Sequence, residues 1–210
     1  MSTIGSMLRD VILVSLVAAA AVQLQPAAAQ ELPDATVKRV TEDTLAAVRS
    51  DPQIQAGNQA RIREVIEAKV APHFDFTRIT AIAMGKNWRT ATPEQQQRLT
   101  EEFRSLLIRT YAGALTQYRE GKIDYKPLRM NAGDTDVIVR TAAVPSSGSP
   151  VPIDYNLEKK PHGWKCYDVV VGGVSLVTNY RDEFNAQIQK GGVDGLIKTL
   201  ADRNKGGPAK

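Results

Sequence analysis

The sequence predicts an α+β fold: helices packed over one face of a four-stranded antiparallel meander. Three observations carry that reading. Apolar residues recur at three-to-four spacing through most of Pro33 to Tyr118, the period of amphipathic helices. From Ile123 to Val171 the period falls to two, in four strand-length stretches separated by short turns rich in proline, glycine and asparagine. Short turns between consecutive strands imply antiparallel neighbours. Finally, Gly163–Phe184 (GWKCYDVVVGGVSLVTNYRDEF) joins a strand, a glycine break and an apolar helical stripe in one run. The last strand is thereby tied to a helix that folds back over the sheet.

The first 29 residues stand outside the fold. Arg9 supplies a positive end, Val11 to Val22 a 12-residue apolar core, and Ala27-Ala28-Ala29 a small-residue cleavage pattern. That core is shorter than the roughly 20 residues a bilayer crossing needs. The expectation is a signal peptide cut after Ala29, giving an exported, soluble, periplasmic protein. No cysteine follows the apolar core, so no lipid-modified N-terminus is expected. Residues 30–204 form one domain in this reading, and 205–210 a flexible tail.

Val37, Val40, Leu45 and Val48 share one stripe of a first helix over Pro33 to Ser50. Asp51-Pro52 punctuates it, and a second helical pattern, with a break near Gly57-Asn58, runs to Val70. Ala71-Pro72 ends that pattern, since the residue before proline avoids helical geometry. Asp75 is the N-cap, and Gly85 the stop, of a short apolar helix. Thr92-Pro93-Glu94-Gln95 is a capping box with proline at the first helical position. It opens a helix to about Arg119 whose broad apolar face includes Phe103, Leu107, Tyr111 and Leu115. Such a face suits a long core helix laid across a sheet.

The strands are predicted at Ile123–Met130, Asp136–Val144, Val151–Lys159 and from Trp164 onward. Val137, Val139, Val151, Ile153, Tyr155 and Leu157 take the inward face, leaving Asp154, Asn156 and Glu158 outward. Ser175 then caps a helix bearing Val177, Tyr180, Phe184 and Ile188, which stops at Gly191-Gly192. A last helix follows from Val193 to Asn204.

With 42% hydrophobic and 24% charged residues the chain is globular. Its net charge of +4 is dispersed, which argues against nucleic acid and permits weak attraction to anionic surfaces. Cys166 is the only cysteine, so no intramolecular disulfide supports the domain. His73 and His162 lack metal-type spacing, and neither a phosphate-cradling loop nor a serine-nucleophile elbow is present. Asp168 beside Tyr167 is the one acid pair with catalytic potential, and strand alternation sets the two on opposite faces. No catalytic residue, metal ligand or cofactor site is assigned. Periodicity leaves open whether helices and sheet close tightly or enclose a hollow.

Four segments in order resemble the MlaC family: HFDF (His73–Phe76), the run from Met84 to Leu115, IDYNL (Ile153–Leu157) and Gly163–Phe184. Gly172 stands where an acidic residue often precedes the glycine, and Cys166 where a β-branched residue is common. The resemblance implies a lipid-sized apolar cavity between sheet and helices. It also implies a periplasmic carrier that binds a glycerophospholipid by its acyl chains. The implied partners are an outer-membrane Mla lipoprotein complex and the inner-membrane Mla ABC transporter complex, with the carrier a monomer. Exposing two chains of about 15 methylenes each to water costs on the order of 20 kcal/mol at about 0.8 per methylene, so such a carrier needs a deep apolar pocket. Joining the matched segments to the inward faces gives the expected lining: Phe74, Phe76, Trp88, Phe103, Leu107, Tyr111, Leu115, Val139, Ile153, Tyr155, Tyr167 and Val169. Two alternatives stand beside this one: a cavity enzyme using Asp168 or Tyr155, and a non-catalytic periplasmic adaptor with a filled core.

Overall fold

The computed structural model describes residues 30–117, 121–145 and 148–206. Residues 1–29, expected to be a signal peptide, the expected helix end at Arg119 and residues 207–210 of the expected 205–210 tail lie outside them; Lys205 of that tail is helical. After the first α-helix, the next four each begin where a side chain satisfies free N–H groups. The first, α1 (Pro33–Ser50), has proline in its first turn. Asp51 then caps the short α2 (Pro52–Gln55), accepting from Gln53 N at 2.9 Å and Ile54 N at 3.3 Å. Asn58 caps α3 (Gln59–Lys69), accepting from Ala60 N at 3.0 Å and Arg61 N at 3.2 Å. After a 3₁₀ turn at Ala71–His73, Asp75 accepts from Arg78 N at 2.8 Å and opens α4 (Phe76–Met84). The capping box closes in both directions: Gln95 N donates to Thr92 Oγ1 at 3.2 Å, and Thr92 N to Gln95 Oε1 at 3.0 Å. It starts α5 (Pro93–Gln117).

The sheet is an antiparallel meander in sequence order: β1 (Lys122–Tyr125), β2 (Asp136–Val144), β3 (Val151–Lys160), β4 (Gly163–Val171) and β5 (Val174–Ser175). It has five strands, one more than the sequence predicts. Gly172 and Gly173 both take positive φ, 58° and 85°. Two such residues make the tight hairpin turn that matches strand twist. The chain therefore turns back into β5 where a direct strand-to-helix step was expected. Ser175 does accept from Thr178 N at 3.0 Å, but it caps a 3₁₀ turn (Thr178–Tyr180); α6 starts only at Arg181 and runs to Lys205. Gly192 breaks α6 with φ 67° and ψ −171°, as the glycine pair at 191–192 predicts. β1 is also shorter than expected. One more bond, from Lys126 N to Arg140 O at 3.0 Å, precedes Pro127, which has no N–H to extend the ladder.

A bulge in β4 decides which residues face the helices. Leu157 pairs with Cys166 and Asn156 with Asp168, so Tyr167 has no partner of its own. Trp164 and Cys166 face the helices before the bulge; Val169 and Val171 do so after it. β4 is held on its outer edge by Phe74–Asp75, where Asp75 N donates to Cys166 O at 2.9 Å. This contact seats α4 beside the sheet.

The apolar residues separate into three clusters. One joins α4, α5 and α6 around Phe103 and Phe184, both 0% exposed. A second joins α1, α2, α3 and α5 around Val48 and Ile62. The third lies on the inner sheet face, where Val37 of α1 meets Val137, Val139 and Leu157. α5 packs chiefly on α6, α3 and α4. Over its middle, space separates it from the strands.

Candidate functional site: two adjoining apolar hollows

That space forms two hollows, of about 250 and about 320 Å³. The first lies between α3, α4 and α5 and the end of β4, with Ile66, Phe76, Leu107, Ile108 and Val169 in its wall. The second lies between α1, α5 and the inner sheet face, with Val40, Leu45, Ile123, Ile153 and Val171 in its wall. Val70, Phe74, Tyr111 and Leu176 border both. Both are walled almost wholly by hydrocarbon and aromatic carbon, the environment of sites that take apolar ligands. Their combined size suits the range of small-molecule cavities, about 300–1,000 Å³.

Of the twelve residues expected to line a cavity, seven border these hollows: Phe74 and Tyr111 both of them, Phe76, Leu107 and Val169 the first, Ile153 and Tyr155 the second. Four border neither. Phe103 is sealed in the helical cluster, edge-on to Phe184 at 4.9 Å and to Tyr180 at 5.0 Å between ring centres. Trp88 packs on that same cluster. Val139, 2% exposed, is covered by the sheet-face cluster. Tyr167 alternates with the inward Cys166 and so takes the opposite face, where the Arg78 guanidinium stacks 3.5 Å from its ring centre; the bulge there brings Val169 back to the inner face. Arg78 in turn pairs with Asp136 at 3.0 Å and Glu158 at 2.8 Å. The side chain of Leu115 lies outside the described residues.

Sequence reasoning missed Leu176 and Val70, the two aliphatic residues at the junction. Periodicity places Leu176 in a helix that in the structure starts five residues later, and Val70 on a helix face. The signal for Leu176 was the glycine pair, which favours a hairpin once read as a turn.

The ionisable groups near the hollows stay neutral or are held by their own chain. Burial pushes the Tyr155 and Tyr111 hydroxyls well above the ordinary tyrosine range. Burial and the charges of Arg39 and Lys165 lower His73, favouring its neutral form. Cys166 is 4% exposed, and burial pushes its thiol up to about 12 from an ordinary 9.0. Raised in the fold, this proton stabilises the native state below about pH 9; the contribution fades as pH climbs from 9 toward 12. A folded thiol this well hidden does not offer a thiolate. Iodoacetamide at pH 8 is expected to leave Cys166 unmodified in the native protein and to alkylate it fully in urea, which intact-mass measurement reads directly.

Asp168 is the one acid in the wall, 8% exposed. Its carboxylate accepts from Ser175 Oγ at 2.6 Å and from Val177 N at 3.3 Å. Both oxygens are thus engaged by the β5 turn, and Leu176 is pinned between two fixed neighbours. Asp168→Ala removes the acceptor for two donors, one of them the buried Val177 N–H, at a cost of about 1–3 kcal/mol. Urea denaturation is expected to show that loss, with the midpoint lowered and the slope unchanged. Among the described residues no group of histidine, cysteine or acidic side chains could hold a metal ion, and no helix is long and apolar enough to cross a membrane.

Residues 38–202 match the family model described as MlaC protein. The chain belongs to the MlaC family. A solved structure, described as the phospholipid-binding protein from Ralstonia solanacearum in complex with a phospholipid, is 46% identical and superposes with a TM-score of 0.75. That alignment covers 81% of this chain and 96% of the Ralstonia chain. Toluene tolerance protein ttg2D of Pseudomonas putida is 34% identical over 53% of this chain, and the match spans about half, 51%, of that relative's length. The MlaC of Haemophilus influenzae, named as the binding protein of an intermembrane phospholipid transport system, is 24% identical over 74% of this chain and 77% of its own. The segments that carried the family resemblance in the sequence all fall inside the matched span.

Proposed function

We propose that this protein is a periplasmic phospholipid carrier that binds a glycerophospholipid by its acyl chains. It takes the lipid through its two joined hollows and moves it between an outer-membrane Mla lipoprotein complex and the inner-membrane Mla ABC transporter complex. It acts as a monomer, exported after removal of residues 1–29. The observation that carries the reading is the pair of hydrocarbon-walled hollows between sheet and helices. They occur in a chain 46% identical to a protein solved with a phospholipid. Water gains little from such walls, whereas acyl chains are stabilised by about 0.8 kcal/mol per buried methylene.

The work asked of the protein is binding, which needs no acid, base or nucleophile. That agrees with Asp168, whose oxygens are engaged by Ser175 and Val177, and with Tyr155, which burial keeps protonated. Binding by the tails also predicts weak headgroup preference.

Native mass spectrometry of the mature protein tests the reading. The expected spectrum shows a mass increment of one or more phospholipids, released on denaturation and exchangeable with vesicles. A protein that is recovered empty and takes no lipid from phosphatidylglycerol vesicles would overturn the proposal.

A further inference from the structure

The two hollows differ in chemistry. Apart from Asp168, already held by the β5 turn, the first offers almost nothing but carbon. The second carries a cluster of hydroxyl groups where α1 crosses β1, β2 and β3. Cross-strand register sets Tyr125 opposite Thr141, with Tyr155 one pair further along the inner face, opposite Val139. Thr41 of α1 neighbours both tyrosine hydroxyls.

The protons of this cluster are not all committed. Thr44 donates to Val40 O at 2.6 Å, the usual back-bond of a helical threonine, and Thr141 donates to Ile153 O at 3.0 Å. Thr41 makes no such back-bond among the described residues. The Tyr125 hydroxyl is buried with no hydrogen-bond partner, and Thr41 is its near neighbour. Tyr155 is half-buried and borders the second hollow, as Thr41 does. Buried hydroxyls left without partners are costly and rare. Lys38 stands over the Tyr125 ring, its Nζ 5.8 Å from the ring centre, but no lysine or arginine borders the second hollow to attract an anion there, and burial keeps the phenols uncharged. The missing partner is therefore a neutral oxygen.

Resting on the carrier reading, we propose that Thr41 and Tyr155 form a donor pair in the wall of the second hollow that binds a neutral acceptor oxygen of the lipid, an ester carbonyl or a hydroxyl on the chain. Tyr125 is a positioning residue: when lipid binds, its free O–H turns to Thr41 Oγ1 and leaves the threonine proton pointing toward the hollow. The first hollow takes plain alkyl chain, and the second takes the part of the lipid that bears oxygen. Two acyl chains of one lipid are thus distinguished by the protein.

Competition binding to delipidated protein tests this with three phosphatidylglycerols: one with ester-linked hexadecanoyl chains, one with ether-linked hexadecyl chains, and one ester-linked with a single hydroxyl on one chain. If the acceptor is the ester carbonyl, the plain diester binds about tenfold tighter than the diether, roughly the worth of one well-made hydrogen bond. If it is a chain hydroxyl, the hydroxylated lipid alone gains that factor. In either case Tyr155→Phe removes the gain, and Tyr125→Phe reduces it without abolishing binding. Infrared spectra of carbonyl-¹³C lipid give a second readout on the unaltered protein. A bound ester carbonyl that accepts a hydrogen bond stretches at lower frequency, and the shift disappears in Tyr155→Phe. Equal affinity for all three lipids overturns the donor pair while leaving the carrier reading intact, as does a preference that Tyr155→Phe retains. No binding of any of them overturns both.

Discussion

Leu176→Glu is expected to empty the protein of lipid at neutral pH. Leu176 borders both hollows, and its backbone is fixed by the bond from its N–H to Val169 O at 2.9 Å. Any chain passing from one hollow to the other must lie against it. A carboxylate there is hydrated while the hollows hold water, so the empty protein tolerates it. Filling them with acyl chains strips that water, at several kcal/mol for an unpaired ion. At about 1.4 kcal/mol per tenfold, retention should fall by about a hundredfold or more. The sign with pH follows. Lipid raises the pKa of this carboxyl by desolvation, so binding is lost as pH rises through that raised value and recovers as pH falls below it. Leu176→Gln, with no charge to bury, should show a smaller loss and no pH dependence. Lipid-to-protein ratios after gel filtration at pH 5 and pH 8 would check both. Full occupancy of the glutamate variant at pH 8 would mean that the junction is not part of the lipid path.

Phe103→Ala should have the opposite signature: a large loss of stability and no loss of lipid from the molecules that remain folded. Phe103 is 0% exposed, packed edge-on against Phe184 and Tyr180 within the α4–α5–α6 cluster. Truncating a fully buried phenylalanine costs about 3–5 kcal/mol, which for a chain of this size lowers the melting temperature by roughly 10 °C. The ring borders neither hollow, so the lipid-to-protein ratio below the transition should match that of the unaltered chain. Calorimetry combined with native mass spectrometry separates the two effects. A stable variant that has lost its lipid would place Phe103 in the cavity after all.

These two residues show where sequence pattern stops being informative. α5 carries apolar side chains around more than half its circumference, and the period alone cannot divide them. The structure does: Leu99, Phe103 and Leu106 turn to α6 and are sealed, whereas Leu107 and Tyr111 turn to the hollows. Leu106 and Leu107 are consecutive, about 100° apart on the helix, and have different roles because α6 covers only one of those directions. Likewise alternation puts Tyr167 and Val169 on one face, but Tyr167 is unpaired in β4, and this bulge leaves Val169 at the hollow and Tyr167 outside against Arg78. Alternation cannot foresee a bulge whose residues carry no glycine to mark it.

By itself the sequence determined the local elements and the fold class. The caps at Asp75 and Thr92, the breaks at Asn58, Pro72 and Gly192, and the meander after Gly121 all act through neighbours a few residues apart, so short-range sterics and hydrogen bonding suffice to read them. The family, too, was legible in four ordered segments. Only the tertiary structure decided that β5 exists, which half of α5 is sealed, and that open space remains between helices and sheet. Hydrophobic pattern reports that a side chain leaves water. Whether it then meets another side chain or an unfilled hollow depends on how far apart whole elements come to rest, and that distance is set by contacts such as α5 on α6 and Phe74 on β4, between residues far apart in the chain.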